Sequence, residues 1–362
     1  MILVGLGGQG SADPFDQKLL NHNNSVAPHA VHLDSAAHRD LGGWFGPNTT
    51  DPDMAGFAGL GGAGAGWEQS DGPKPGIEAH LVHRTIGPHR KVGGMQIGFI
   101  GAGSMAQAII KGIVGAGFSR ADQIGASDLD TTKLTALANQ TGITVYSSNL
   151  ELVAASDLVV LAVKPINIAA VLIEARPAIE AKSPLVVSIA AGIGLPSLSN
   201  LLGPNVPLVR AMPNLNVKVG EGMTAIAGHQ TASQEQVRQV VSLFDAVGQT
   251  LVVEERLFPA LGAIAGCSPA WIFLLIDALA RGALTAGLPK AVGLEAATQA
   301  VLGSAKLLAS TDQHPGALID QVASPGGTTV AGLNALDERG FAAAVVAAVS
   351  AAISRDRELG SQ

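Results

Sequence analysis

A short apolar run, Ile97-Gly98-Phe99-Ile100, passes directly into Gly101-Ala102-Gly103-Ser104-Met105-Ala106 and then into Gln107-Ala108-Ile109-Ile110-Lys111-Gly112-Ile113-Val114. An apolar strand, a glycine turn and a helix with one buried face, in that order, open the βαβ unit of a doubly wound sheet. In this G-x-G-x-x-A form Gly101 makes the tight turn and Gly103 lets a pyrophosphate approach the backbone. The small Ala106 lets the helix pack closely on the strand. A second apolar stretch with glycines, Met1 to Gly10, imitates the pattern but leads into Ser11-Ala12-Asp13-Pro14, which is no apolar helix, so it reads as a decoy.

Beyond Ala106 the chain keeps to the same plan. Gln123-Ile124-Gly125-Ala126-Ser127 reads as the second strand, and Asp128 stands where an acid holds the adenosine ribose hydroxyls. An acid there leans toward NADH, because a 2′-phosphate would meet a negative charge. Ser127 could still donate to that phosphate, and Lys133 is near enough in sequence to assist. A plainer reading is that Asp128 or Asp130 caps a helix starting near Thr131, so NADH and NADPH both remain open. Leu158–Ala162, Leu185–Ile189 and Val206–Ala211 are further short runs at βα spacing, suited to a parallel sheet covered on both faces. Val163-Lys164-Pro165 and Ala211-Met212-Pro213-Asn214 then place Lys164 and Asn214 at the carboxyl edge of that sheet, where ligands bind in doubly wound folds.

From about Leu257 the alternation gives way to helices alone: Ala270–Ala286, Leu294–Leu308, Val330–Leu336 and Phe341–Ser354. Leu257 to Ile276 carries no charge, but Pro259, Pro269, Gly262 and Gly266 interrupt it and Asp277 and Arg281 close it. It reads as a loop around Gly266-Cys267-Ser268-Pro269 followed by a helix buried all round, at a subunit interface rather than in a membrane. Between two helices lies Ser324-Pro325-Gly326-Gly327-Thr328-Thr329. Pro325 stops the incoming helix, the glycines admit unusual backbone angles, and three hydroxyls surround a turn that leads into a helix N-terminus. Such a turn is a receptor for a small anion such as a carboxylate.

The expected organisation is therefore an extension over 1–94, a Rossmann-type dinucleotide-binding domain over 95–256 and an all-helical substrate and dimerisation domain over 257–362. Seven of the nine histidines fall in residues 1–94, at spacings that match no metal-binding pattern, so no metal is expected. A net charge of −7 without a basic cluster argues against nucleic acid. The single cysteine, Cys267, excludes an internal disulfide framework and fits a reducing, cytoplasmic setting. It reads as a small buried apolar residue rather than a nucleophile.

The motifs together resemble the pyrroline-5-carboxylate reductase family across nearly all of residues 95–360. They are Ile97 to Ala106, Ala162-Val163-Lys164-Pro165, Val187-Ser188-Ile189-Ala190-Ala191-Gly192, Arg210-Ala211-Met212-Pro213-Asn214, Ser268-Pro269-Ala270, and His314-Pro315-Gly316 leading into the Ser324–Thr329 turn. The resemblance implies reduction of the C=N bond of L-1-pyrroline-5-carboxylate by NADPH or NADH, the last step of proline synthesis, in a homodimer or larger homo-oligomer. It implies that Ser324, Gly326, Gly327, Thr328 and Thr329 hold the substrate carboxylate, with Thr329 beside the ring nitrogen as the catalytic residue. Gly101, Gly103, Ser104 and Met105 would meet the pyrophosphate, with Ser127 and Asp128 on the adenosine side and Val163, Lys164 and Asn214 along the nicotinamide side. The chain departs from the family at Ser104, at Leu215-Asn216-Val217 and at Trp271. Rival readings are a reductase of another cyclic imine or a hydroxyacid, or a non-catalytic dinucleotide-binding sensor. A hydroxyacid enzyme would need a catalytic lysine, and only Lys290 and Lys306 are present beyond 257, in no such motif.

Overall fold

The computed structural model describes residues 94–360, all within one unit of the chain, Pro73–Gln362. The expectations for residues 1–93 lie outside the described residues. The first half builds β1 (Ile97–Ile100), α1 (Ser104–Gly115), β2 (Ile124–Ser127), α2 (Thr131–Thr141), β3 (Thr144–Val145), α3 (Asn149–Ala155) and β4 (Leu158–Leu161). It continues through α4 (Ile168–Lys182), β5 (Leu185–Ser188), α5 (Leu195–Leu202), β6 (Leu208–Met212), β7 (Gly222–Gly228), α6 (Gln234–Asp245) and β8 (Gly248–Val252). The sheet order is β3-β2-β1-β4-β5-β6-β7-β8.

β1 to β6 are mutually parallel, so their carboxyl ends share one edge. β7 then pairs antiparallel with β6, and β8 parallel with β7 through the α6 crossover. Sequence reasoning does not identify β3, β7 or β8. The two exposed residues of β3 show no burial period, and the glycine and alanine positions of β7 weaken its strand signal. The short strands are buried on both faces because helices cover both. Phe99, Val160 and Val187 pack toward α1 and α6, while Ile100, Val159 and Leu161 pack toward α3, α4 and α5. A polar clip closes the opposite edge: Asp157 Oδ2 accepts the Gln96 N–H at 3.0 Å, and Lys182 lies 3.2 Å from its Oδ1.

The second half is helical as expected: α7 (Phe258–Leu261), α8 (Ser268–Thr285), α9 (Lys290–Ala309), α10 (Pro315–Val322), α11 (Thr328–Glu338) and α12 (Phe341–Gly360). The expected loop around Gly266 is instead a π-helical segment, Gly262–Cys267, continuous with α7 and α8. Pro269 sits in the first turn of α8, where its missing N–H costs nothing, and Ser268 Oγ donates back to the Ile264 carbonyl. α8 and α9 form a close pair through small residues; a Cβ on Gly293 would stand 3.2 Å from the Ala280 Cα.

The second difference is burial. The sequence predicts α8 and the Cys267 before it to be buried, yet Phe273 is 57% and Leu274 62% exposed, and Cys267, Leu302, Leu307, Val322 and Val346 are exposed too, because the apolar face of these helices has no cover among the described residues. By length and composition Glu255–Thr285 is apolar enough to cross a membrane.

The Asp157 clip has a pH signature. The Gln96 amide, and after it Lys182, hold the Asp157 carboxyl below its ordinary value. Its stabilisation is therefore complete above the unfolded value near ~3.9 and is lost as pH falls through the lower folded one. Asp157→Asn is expected to lower unfolding free energy by about 0.5 kcal/mol at neutral pH, since solvent screens the half-exposed carboxylate. That difference from the unsubstituted protein should shrink below about pH 4 in denaturant titrations.

Candidate active site

The first wall of the site is the turn between β1 and α1. Gly101 adopts φ +101°, and a Cβ there would press against the Ala162 carbonyl oxygen at 2.8 Å and Val163 Cγ1 at 2.9 Å. Only glycine satisfies both constraints. Its N–H donates to the Ser127 carbonyl at 2.8 Å, which fixes the turn to the end of β2. Ala106 is fully buried beneath it.

Gly103 differs. It has φ −67°, and a Cβ there would meet nothing within 4 Å. The protein does not require glycine at this position for its own packing; the open space borders the start of α1, which no side chain caps. Uncapped first-turn N–H groups beside an open backbone fit a phosphate, and the exposed Ser104 and half-buried Met105 carry the first of them.

At the end of β2 the side chains separate. Asp128 Oδ2 accepts the Ala102 N–H at 2.6 Å and Oδ1 accepts the Asp130 N–H at 2.9 Å. Asp130 is the residue that caps α2, accepting the Lys133 N–H at 3.0 Å. Ser127, read from sequence as a cofactor contact, is 3% exposed and its hydroxyl donates to Asn149 Oδ1 at 2.7 Å. The hydroxyl therefore faces into the sheet flank, and its partner Asn149, at the start of α3, is a residue that sequence reasoning misses.

Val163 and Lys164 follow β4. Val163 packs half-buried against the cluster that includes Ile100, Val159 and Leu161, and Lys164 is exposed and extended before Pro165. Asn214, after β6, is expected from sequence to line the nicotinamide side. It is 6% exposed, and its amide bonds on both sides: Oδ1 accepts the Met223 N–H at 3.0 Å and Nδ2 donates to the Ala265 carbonyl at 2.9 Å. It thus ties the sheet edge to the π-helical segment.

Beside it Arg210 Nη1 donates to Glu255 Oε1 at 2.7 Å, and the same oxygen accepts the Leu195 N–H at 2.8 Å. The guanidinium lies 4.7 Å from the Phe258 ring centre. A cleft of ≈ 480 Å³ opens here, lined by Gly192, Gly194, Arg210, Glu255 and Arg357 among others. A lone arginine inside an apolar strand is the sequence signal that a partner has to exist.

The Ser324–Thr329 turn stands in the helical half. Ala323 leaves α10 extended, Gly326 has φ +68°, and the Gly327 N–H donates to the Ser324 carbonyl at 2.9 Å. A Cβ on Gly327 would collide with Ser324 Oγ. α11 begins at Thr328 with Gly327 as an extended, side-chain-free cap, so its first N–H groups point outward from the turn. Ser324 and Thr328 are exposed and Thr329 is half-buried. Gly101, Gly103, Asp128, Val163, Lys164 and Asn214 thus share the carboxyl edge of the sheet, while Ser324 to Thr329 belong to helices that pack among themselves, α11 on α12.

The two glycines of the loop give separable outcomes. Gly101→Ala should cost about 1–3 kcal/mol from backbone conformation alone. Gly103→Ala should leave stability within about 0.5 kcal/mol yet weaken nucleotide affinity, as read by denaturant melts and titration calorimetry in parallel.

Two family models match the chain: NADP oxidoreductase coenzyme F420-dependent over residues 96–192, and pyrroline-5-carboxylate reductase dimerisation over residues 255–359. A pyrroline-5-carboxylate reductase of Methanosarcina acetivorans is 40% identical over 267 residues, 74% of this chain and 98% of that protein. The solved pyrroline-5-carboxylate reductase of Coxiella burnetii superposes with TM-score 0.70 at 32% identity, covering 73% of this chain and 98% of that one. The Plasmodium falciparum pyrroline carboxylate reductase, solved with NADP bound, gives TM-score 0.67 at 28% identity over 74% of this chain and 98% of that one. A glycine turn fitted to a dinucleotide, a helical half matched as a dimerisation domain and full-length relatives at this identity agree: the chain belongs to the pyrroline-5-carboxylate reductase family.

Proposed function

We propose that this chain reduces the C=N bond of L-1-pyrroline-5-carboxylate to L-proline with NAD(P)H. The observation that carries the reading is the presence of two uncapped helix N-termini, one behind Gly103 and one behind Gly327, on a chain whose relatives bear that name. The first suits a pyrophosphate and the second a small carboxylate. When bound, the reduced nicotinamide supplies the hydride.

The protein's own task is placement. Gly101 and Gly103 let the backbone close on the pyrophosphate, the Ser104 and Met105 amides receive it, and Val163 and Lys164 border the nicotinamide end. Asn214 acts at one remove, by fixing Ala265 and the π-helical wall to the sheet edge. The Ser324–Thr329 turn holds the substrate carboxylate through its hydroxyls and the amides of Gly326, Thr328 and Thr329, with Gly327, its own amide bonded to Ser324, as the side-chain-free cap that leaves the carboxylate room, and the Thr329 hydroxyl faces the ring nitrogen. The imine carbon is already electrophilic once its nitrogen is protonated, so orientation supplies most of the acceleration. As the hydride reaches carbon, the nitrogen keeps its proton and becomes the secondary amine of proline. No side chain need change its covalent state. The reducing coenzyme and the single cysteine suit a cytoplasmic setting.

Residues 95–256 are the nucleotide half in this reading and 257–362 the substrate and dimerisation half, with residues 1–94 dispensable to the reaction. The exposed apolar side chains of α8 to α12 are covered by a second copy in a homodimer or larger homo-oligomer. Light scattering on the purified chain should give at least twice the mass of one chain; a monomer at micromolar concentration would sink that assignment.

The activity test is nicotinamide oxidation with pyrroline-5-carboxylate, using NADH and NADPH in parallel. Turnover with either supports the reading, and none with both overturns it. Thr329→Ala should lower kcat by about tenfold or more. Unchanged kinetics in that variant would remove Thr329 from the mechanism.

A further inference from the structure

The end of β2 carries information about the coenzyme beyond the activity itself. In a doubly wound fold this is where the adenosine ribose meets the protein, and where a 2′-phosphate must find cations or donors if it is to be accepted. Three side chains in the sequence bear on that choice: Asp128, Ser127 and Lys133.

The structure separates them. Asp128 is fixed by two backbone amides, Ala102 N–H on Oδ2 at 2.6 Å and Asp130 N–H on Oδ1 at 2.9 Å. It is therefore not a mobile surface acid that could swing aside, and one of its anchors is the glycine turn itself. A carboxylate offers about four lone-pair positions. Two are used by those amides, which leaves capacity for the two hydroxyls of an unmodified ribose. Of the two potential helpers of a phosphate, one is turned inward and the other is paired with a second carboxylate at the surface. Ser127 Oγ is buried and donates to Asn149. Lys133 Nζ lies 3.4 Å from Asp130 Oδ2 on the α2 side. No arginine lies between Ser127 and Thr141, and Leu129, beside Asp128, is wholly exposed and offers no donor from its side chain.

We infer that Asp128 makes this chain an NADH-preferring member of its family: its anchored carboxylate accepts the ribose hydroxyls of NADH and repels the 2′-phosphate of NADPH. The inference rests on the reading of the glycine turn as the dinucleotide site, but not on the identity of the imine. The Plasmodium falciparum relative was solved with NADP bound, so the inference is drawn from this chain's own β2 terminus and not from its relatives.

The test separates coenzyme choice from catalysis by using adenosine fragments that lack the nicotinamide. Titration calorimetry on the full chain compares ADP-ribose with 2′-phospho-ADP-ribose, and steady-state kinetics compares NADH with NADPH. The unsubstituted protein should bind ADP-ribose roughly tenfold or more tightly than the phosphorylated fragment. Asp128→Asn, which keeps an acceptor for the turn but removes the charge, should narrow that ratio by about tenfold, and Asp128→Ser should do the same. Equal or tighter binding of the phosphorylated fragment by the unsubstituted protein overturns the inference, as does failure of both fragments to bind. So does a ratio that neither substitution moves. A clear fragment preference in a protein that does not reduce pyrroline-5-carboxylate would uphold Asp128's role while defeating the reductase assignment.

Discussion

One carboxylate oxygen joins the two halves of this protein. Arg210 lies in a strand whose neighbours are almost wholly buried, and a guanidinium at 9% exposure has to be paired where it stands. Glu255 meets it with an oxygen that also receives the first amide of α5, and Phe258 lies against the guanidinium. The end of the β5–α5 connection, the middle of β6 and the turn that leads into the helical half therefore converge on a single atom. Removing either charge would leave the other stranded in a poorly hydrated place, which costs far more than an exposed pair contributes. Glu255 thus pins the chain to the sheet two residues before the helical half begins.

The site inherits its economy from the same architecture. Six parallel strands bring their carboxyl ends to one edge, and the loops that leave that edge supply mostly backbone. Two helix N-termini left without side-chain caps offer polarised amides at fixed positions, and amides placed by buried strands and helices need no reorganisation when an anion arrives. Side chains serve mainly to hold that backbone: Asp128 braces the turn and Asn214 braces the π-helical wall. An enzyme that reduces an already electrophilic carbon needs placement more than acid or base strength, and placement is what this arrangement supplies.

Much of this is legible in the sequence because it depends on local patterns. The strand, the glycine turn and the helix from Ile97 onward follow from hydrophobic period and glycine spacing, and the change to an all-helical half after Leu257 follows from the loss of strand-length runs. Individual side-chain partners are not legible. Ser127 and Asp128 are adjacent in sequence, yet one turns inward to Asn149 and the other reaches back to Ala102, a separation set by strand alternation and by a partner in another element. Asn214 sits at the predicted edge, but its commitment to Met223 and Ala265 depends on β7, whose small residues conceal it. The apolar length of α8 is plain from its residues, but its exposure within one chain is not, because hydrophobicity alone does not say which surface covers it.

The π-helical segment Gly262–Cys267 sets an angular phase. Each residue in an α-helix advances the side chains by about 100° around the axis, and a π turn inserts one more residue than an α turn spans. If this segment relaxed to regular α-helix, every side chain of α8 would be rotated about its axis by roughly that amount relative to α7. Ala280 would keep Gly293, since α9 turns with α8, but the stripe carrying Phe273 and Leu274 would point to a different quadrant. A single residue's worth of winding, beside the carbonyl that Asn214 holds, thus fixes the azimuth at which α8 and α9 present themselves.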